Sequence, residues 1–271
     1  MTGEGRRELD AMFVAAKGED RAVLLPYLTA GLPTLDDSVD LFVAMAEAGA
    51  DGFEVGIPYA DPLMDGPVIM RAGELALKGG VTVEGSLEVV RRVRERTGKP
   101  TVVMTYVNPV LRHGVDDFFK RVADAGGSGV IIADLPVDES DPFVDAARAH
   151  GLGMVQFAAP TTEHDRLAAI ASRDPVFVYA IADVGVTGER DGASTRIEAL
   201  ASAIRRVTKA PIVFGVGIST PEQAALAALH GDGVIVGTAI VRRVLDAGSA
   251  SDARHALVEA VEGLATAVRR G

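Results

Sequence analysis

Eight short runs of apolar, mostly β-branched residues recur along the chain, and a stretch with helical periodicity follows each. The runs fall at 22–28, 52–57, 101–106, 129–133, 153–157, 176–181, 212–215 and 233–236. Amphipathic stretches at 36–48, 83–96, 116–125, 139–149, 164–171, 197–207 and 221–229 separate them. In 36–48, Val39, Val43 and Ala46 recur at helical spacing, and Leu41, Phe42 and Met45 widen the stripe. Runs such as V-F-V-Y-A-I and G-V-I-I-A are apolar throughout rather than alternating, as strands buried on both faces are. Strands that alternate with helices imply a parallel sheet. Eight such units close into a (β/α)8 TIM barrel, for which about 250 residues is typical, and the chain has 271. An open doubly wound sheet is the alternative. No G-x-G-x-x-G follows the first run, which argues against a dinucleotide fold.

Three additions to the eight units are expected: an extra N-terminal helix at 5–18 capping the barrel floor, an extra helix at 67–77 after the second strand, and two helical stretches after the eighth, at 238–245 and 251–269. No linker divides the chain, so 1–271 reads as a single domain.

Residues 51–67 read D-G-F-E-V-G-I-P-Y-A-D-P-L-M-D-G-P. Glu54 stands inside the second strand, between Phe53 and Val55, and Asp65 lies on the loop that leaves that strand. Active sites of this barrel form at the C-terminal ends of the strands. Burial raises a carboxyl pKa by disfavouring the charged form, which makes an acid–base catalyst near neutral pH. Pro58 and Pro62 restrict the intervening loop. Two carboxylates approaching one pocket is an arrangement suited to acid–base work. The plainer reading is a surface Glu on an edge strand and a turn Asp.

Glycine-rich turns follow the last three strands: G-V-T-G at 185–188, G-V-G-I-S at 215–219 and G-T-A-I-V at 237–241. Loops after strands seven and eight of such barrels often bind phosphate on helix-terminal N–H groups. None of the three turns contains Lys or Arg, so recognition rests on backbone dipoles and hydroxyls. Asp134, in A-D-L-P, is either a pocket residue or a cap before Pro136. Tyr106 and Tyr179 end strands on the active face and either line a pocket or fill the barrel.

Other functions are disfavoured. With no cysteine, thiolate metal sites and cysteine nucleophiles are excluded. The five histidines lack metal-ligand spacing, and no metal is expected. A net charge of −11 disfavours nucleic-acid binding, because phosphate backbones need basic surface. No apolar run approaches the roughly 18 residues needed to span a bilayer, and no signal peptide is read at the N-terminus, so a cytoplasmic protein is expected.

The segments F-E-V-G-I-P-Y-A-D-P-L-M-D-G-P, T-Y-V-N-P-V, A-D-L-P-V-D-E-S, G-V-T-G, G-V-G-I-S-T-P-E-Q and G-T-A-I-V together resemble the tryptophan synthase alpha subunit family. The resemblance implies a lyase of tryptophan biosynthesis that cleaves indole-3-glycerol phosphate to indole and glyceraldehyde 3-phosphate. It implies that Glu54 is the acid–base residue acting at indole C3. Asp65 would hydrogen-bond the indole N–H and stay ionised. By the same resemblance Gly188, Gly217, Gly237 and Thr238 hold the phosphate, and Tyr27, Met104, Tyr106, Tyr179 and Thr187 form the pocket. It further implies a beta-subunit partner in an α2β2 complex. The pyridoxal phosphate belongs to that partner, and no cofactor is expected here. Three positions depart from the family pattern: Met70 stands for Gln or Asn, Val216 for Phe, and Asp183 precedes G-V-T-G. A stand-alone indole-glycerol-phosphate lyase and a catalytically silent binding subunit are the competing readings.

Overall fold

The computed structural model describes residues 4–181 and 190–270, with the backbone alone at 190–193. Eight strands close into one parallel barrel in sequence order, and the eighth pairs with the first. They are β1 Val23–Thr29, β2 Phe53–Gly56, β3 Thr101–Thr105, β4 Gly129–Ile132, β5 Gly153–Ala158, β6 Phe177–Ala180, β7 Ile212–Phe214 and β8 Gly233–Val236. The expected (β/α)8 architecture is therefore what the chain adopts.

The outer ring and the additions follow in order: α1 Glu4–Gly18, α2 Leu35–Glu47, α3 Pro67–Lys78, α4 Val83–Thr97, α5 Val107–His113, α6 Val115–Asp124, α7 Asp141–Ala149, α8 His164–Ser172, α9 Arg190–Arg205, α10 Pro221–His230, α11 Thr238–Asp246 and α12 Ala250–Ala267. Capping residues set several starts. The Thr34 hydroxyl accepts from the Asp37 N–H at 3.1 Å. Thr220 and Gln223 form a reciprocal capping box at α10. Each such cap satisfies an N–H that the first helical turn leaves without a partner.

The core runs continuously between barrel and helices. Phe53 points outward from β2 and meets Phe42 of α2 edge-on at 5.1 Å. Successive strand side chains face opposite sides, so this contact turns Glu54 toward the barrel interior. α1 closes the floor, as expected. Its Leu9, Phe13 and Ala16 are buried, Phe13 packs against Phe177 at 5.9 Å, and Arg6 donates to the Asp174 carbonyl at 2.8 Å.

Three local differences from the sequence reading have physical causes. α5 had no counterpart in it, because seven residues containing Asn108 and Pro109 carry too little periodicity to read. The helix read at 139–149 is broken at Ser140, whose hydroxyl returns to the Val137 carbonyl at 2.8 Å, leaving a 3-10 turn at Val137–Glu139 before α7. The helix read at 197–207 begins seven residues earlier, at Arg190, in a polar stretch without an apolar stripe.

Candidate active site

A cavity of about 290 Å3 opens at the mouth of the barrel, where the C-terminal ends of the strands converge. Glu54 and Asp65 both line it, as do Tyr27, Met104 and Tyr179. Glu54 is only 4% exposed, so the reading of a surface carboxylate is excluded. Its Oε2 atom has no hydrogen-bond partner among the described residues. Burial, and secondarily the Asp65 charge, push its carboxyl up to about 8. A buried acceptor without a partner costs roughly 1–3 kcal/mol, and the strand packing described above holds it in place regardless.

Asp65 is less deeply placed. Burial raises its carboxyl to about 6, and a hydrogen bond from the Tyr106 hydroxyl partly offsets the rise. The carboxylate expected simply to stay ionised thus does so at neutral pH but loses its charge just below. Tyr106 does not line the cavity. It is almost fully buried behind Asp65, and its hydroxyl also accepts from the Met64 N–H at 3.3 Å. Tyr59 stacks on Tyr106 with ring centroids 5.2 Å apart, and its own hydroxyl accepts from Asn108 Nδ2 at 2.9 Å. The loops after β2 and β3 are therefore joined side chain to side chain beneath Asp65.

Two glycines make room for the pocket tyrosines. A Cβ at Gly56 would lie 2.2 Å from the Tyr27 hydroxyl, and one at Gly215 would lie 2.0 Å from that of Tyr179. Gly215, read as part of a phosphate turn, thus also clears space for an aromatic side chain. The Tyr27 hydroxyl pairs with Thr29 Oγ1 at 3.2 Å.

On the wall formed after β7 and β8, Gly217, Gly237 and Thr238 line the cavity with Val216. Gly217 has φ +77, a turn conformation that glycine adopts without strain. Gly237 is the N-cap of the nine-residue α11 and makes no side-chain cap bond. The first N–H groups of that helix therefore meet the cavity as donors at the positive end of its dipole. Thr187 and Gly188, together with the departure at Asp183, lie outside the described residues.

The sequence reading missed much of the apolar lining: Ile69, Ile131, Ala133, Phe157, Ile181 and Ile235. Strand parity carried the signal for some of it. Phe157 sits in register with Tyr179, so both point inward. Asp134 is not a pocket residue. Its Oδ1 accepts from the Val107 N–H at 2.7 Å and caps α5, so the cap alternative holds, for a neighbouring helix. None of the five histidines is buried, and among the described residues no cluster able to hold a metal ion occurs.

The sequence model of the family described as "Tryptophan synthase alpha chain" matches residues 13–269. A tryptophan synthase alpha chain of Salinispora tropica is 46% identical over 257 residues, covering 95% of this chain and 96% of the relative. One from Streptomyces coelicolor is 44% identical over 263 residues, covering 97% and 96%. Among solved structures, a tryptophan synthase chain of M. tuberculosis superposes with a TM-score of 0.88 at 37% identity, covering 100% of both chains. The alpha subunit from Legionella pneumophila gives 0.88 at 32% identity, covering 96% of this chain and 98% of that one. The chain belongs to the tryptophan synthase alpha chain family.

Proposed function

We propose that this chain is the lyase that cleaves indole-3-glycerol phosphate to indole and glyceraldehyde 3-phosphate. The observation that carries this reading is the buried Glu54, whose Oε2 atom has no partner among the described residues, sharing one cavity with Asp65. A carboxyl at about 8 is protonated at neutral pH and able to donate.

In the first step the protonated Glu54 gives its proton to indole C3. The ring becomes a cation, and Asp65, ionised above about 6, accepts the indole N–H hydrogen bond and stabilises that charge. In the second step the carbon–carbon bond between C3 and the glycerol chain breaks. Its electron pair returns to the ring, the chain's hydroxyl becomes the aldehyde, and that hydroxyl's proton passes to the Glu54 carboxylate. Glu54 ends protonated, as it began. No electron is gained or lost and no water is consumed, so the reaction as written calls for neither a metal nor an organic cofactor on this chain.

The phosphate would lie against Gly217, Gly237 and Thr238, on N–H groups and a hydroxyl. The indole would lie among Met104, Ile131 and Phe157, with Tyr27 and Tyr179 bounding the glycerol. Thr187 and Gly188 are assigned to the same pocket by their motif.

A tryptophan synthase beta subunit is the partner this family suggests, with the pyridoxal phosphate on the beta side and an α2β2 stoichiometry. Leu63 and Met64 are 81% and 60% exposed on the β2 loop, and Met70 on α3 and Leu111 on α5 are also exposed. Large apolar side chains left in water are favourable to cover. The same reading takes the chain as cytoplasmic. Among the described residues no helix is long and apolar enough to cross a membrane.

The test is indole release from indole-3-glycerol phosphate by the purified chain, alone and with a beta subunit, beside Glu54→Gln and Asp65→Asn. Slow turnover that the partner raises and both variants lose is the expected result. Fast turnover without a partner supports the stand-alone lyase. Tight substrate binding with no turnover in either condition sinks the enzymatic reading.

A further inference from the structure

A separate cavity of about 280 Å3 opens on the floor of the barrel, the face opposite the mouth. α1 presents one helical face to it through Asp10, Phe13, Val14 and Lys17, spaced three and four apart. Five cationic side chains line this cavity against two acidic ones, in a chain whose net charge is −11.

Three of the five cations are engaged in holding the fold. Arg21 pairs with Asp51 at 2.7 Å. Arg205 donates to the His230 carbonyl at 3.1 Å, and Arg270 donates to the Ala228 carbonyl at 2.8 Å. The last two satisfy carbonyls at the C-terminal end of α10, which a helix leaves without internal partners. The acids are engaged too. Asp232 accepts from the Ile212 N–H at 2.9 Å and pairs with Arg205 at 3.3 Å. Asp10 stands 3.7 Å from Arg6.

Lys17 and Lys209 are different. They come from the last turn of α1 and from the loop between α9 and β7, and both line the same cavity. Neither ammonium group has an ion pair or hydrogen bond among the described residues. Phe13, Val14 and Pro211 supply apolar surface between these elements. The two carboxylates of the cavity are already held by Arg6 and Arg205, so an anion entering it would meet two ammonium groups that no carboxylate among the described residues pairs.

We infer that this floor cavity is a binding site for a small multivalent oxyanion, of the organic phosphate or polycarboxylate class. Its volume lies just below the roughly 300 Å3 at which drug-sized ligand pockets start, which suits a small anion. An ammonium binds phosphate or carboxylate as a point charge without demanding planar geometry. The site is independent of the lyase reading, since neither lysine touches the mouth.

Calorimetric titration of the full chain tests it, with pyrophosphate and citrate as separate probes. Excess glycerol 3-phosphate is included to fill the phosphate region of the mouth. We expect one pyrophosphate or citrate bound per chain, weakened at least ten-fold in Lys17→Gln/Lys209→Gln and largely retained in Lys17→Arg. Binding should also weaken as salt is raised, because screening tightens. Both lysines are exposed, so the double variant should keep its thermal midpoint and its basal indole formation. Whichever probe binds more tightly identifies the class. Absence of binding by both probes, or binding undiminished in the double variant, overturns the inference.

Discussion

The two walls of the barrel mouth handle charge in opposite ways. The wall built by β2 and its loop carries two carboxyl groups, both pushed upward by burial, to about 8 at Glu54 and about 6 at Asp65. The wall built after β7 and β8 presents Gly217, Gly237 and Thr238 and no cationic side chain. On the first wall the side chain's own ionisation is tuned by removing water. On the second, fixed backbone dipoles meet an anion with no titratable group. The difference separates chemistry from grip. Changes on the first wall should alter turnover and its pH dependence, and changes on the second should alter substrate affinity alone.

Glu54→Gln tests the first wall most severely. It keeps the shape and removes the proton, so indole formation should fall by about 10²- to 10⁴-fold. The same change should reverse a stability cost. The folded-state pKa of Glu54 lies above its ordinary value, so the native state holds this proton more tightly than the unfolded chain. Its contribution is present below the ordinary pKa of 4.5 and is lost as pH rises through about 8. Chemical denaturation should therefore show wild-type stability falling between pH 5 and 8, with a flatter profile in Glu54→Gln. Equal slopes in the two proteins would mean that Glu54 is not desolvated as described.

Asp65→Asn should be the next largest, with turnover down about 10²-fold, the scale of removing one preorganised electrostatic partner. Its pH profile is the sharper reading. In wild type, activity should fall below about 6, as Asp65 loses its charge, and above about 8, as Glu54 loses its proton. The Asp65 charge helps raise Glu54, so in Asp65→Asn the alkaline limb should move to lower pH and the acid limb should disappear. An unmoved alkaline limb would show the two carboxyls to be uncoupled.

The barrel was legible in the sequence because its strands are buried on both faces and leave unbroken apolar runs, such as V-F-V-Y-A-I. Glu54 was legible because a carboxylate interrupting such a run has to be explained. Asp134 was ambiguous, since a cap and a pocket residue look alike until the partner N–H of Val107 is known. Tyr106 was placed one layer too far forward. Strand position showed which face it serves, but not that Asp65 lies over it. The lining residues Ile69, Phe157 and Ile181 were missed because nothing distinguishes them locally from core. Phe157 becomes visible only when β5 and β6 are set in register, and Ile69 only when α3 is placed beside the cavity.

Thr238→Val probes the second wall. It removes one hydroxyl from the N-terminal turn of α11 and keeps the branched shape. A net hydrogen bond is worth about 0.5–1.5 kcal/mol, so KM should rise by roughly two- to twelve-fold. The turnover number and both pH limbs should stay put. A fall in turnover at unchanged KM would break the division of labour between the walls.

Tyr59→Phe is the mildest test and reaches behind the first wall. It removes only the hydroxyl that accepts from Asn108 at 2.9 Å and leaves the ring stacked on Tyr106, whose hydroxyl holds the Asp65 carboxylate. Loss of one partly exposed hydrogen bond costs about 1 kcal/mol or less. If that bond fixes the loop carrying Asp65, turnover should fall two- to five-fold at constant KM, and the acid limb near 6 should shift because the bond from Tyr106 is less well held. Restoring a donor–acceptor pair elsewhere on the loop would not repair the limb, since the shift is specific to the group bonded to Asp65. Steady-state kinetics across pH 5 to 9 should resolve it. If Tyr59→Phe matches wild type throughout, Tyr106 alone positions Asp65, and the link between the two loops serves stability rather than turnover.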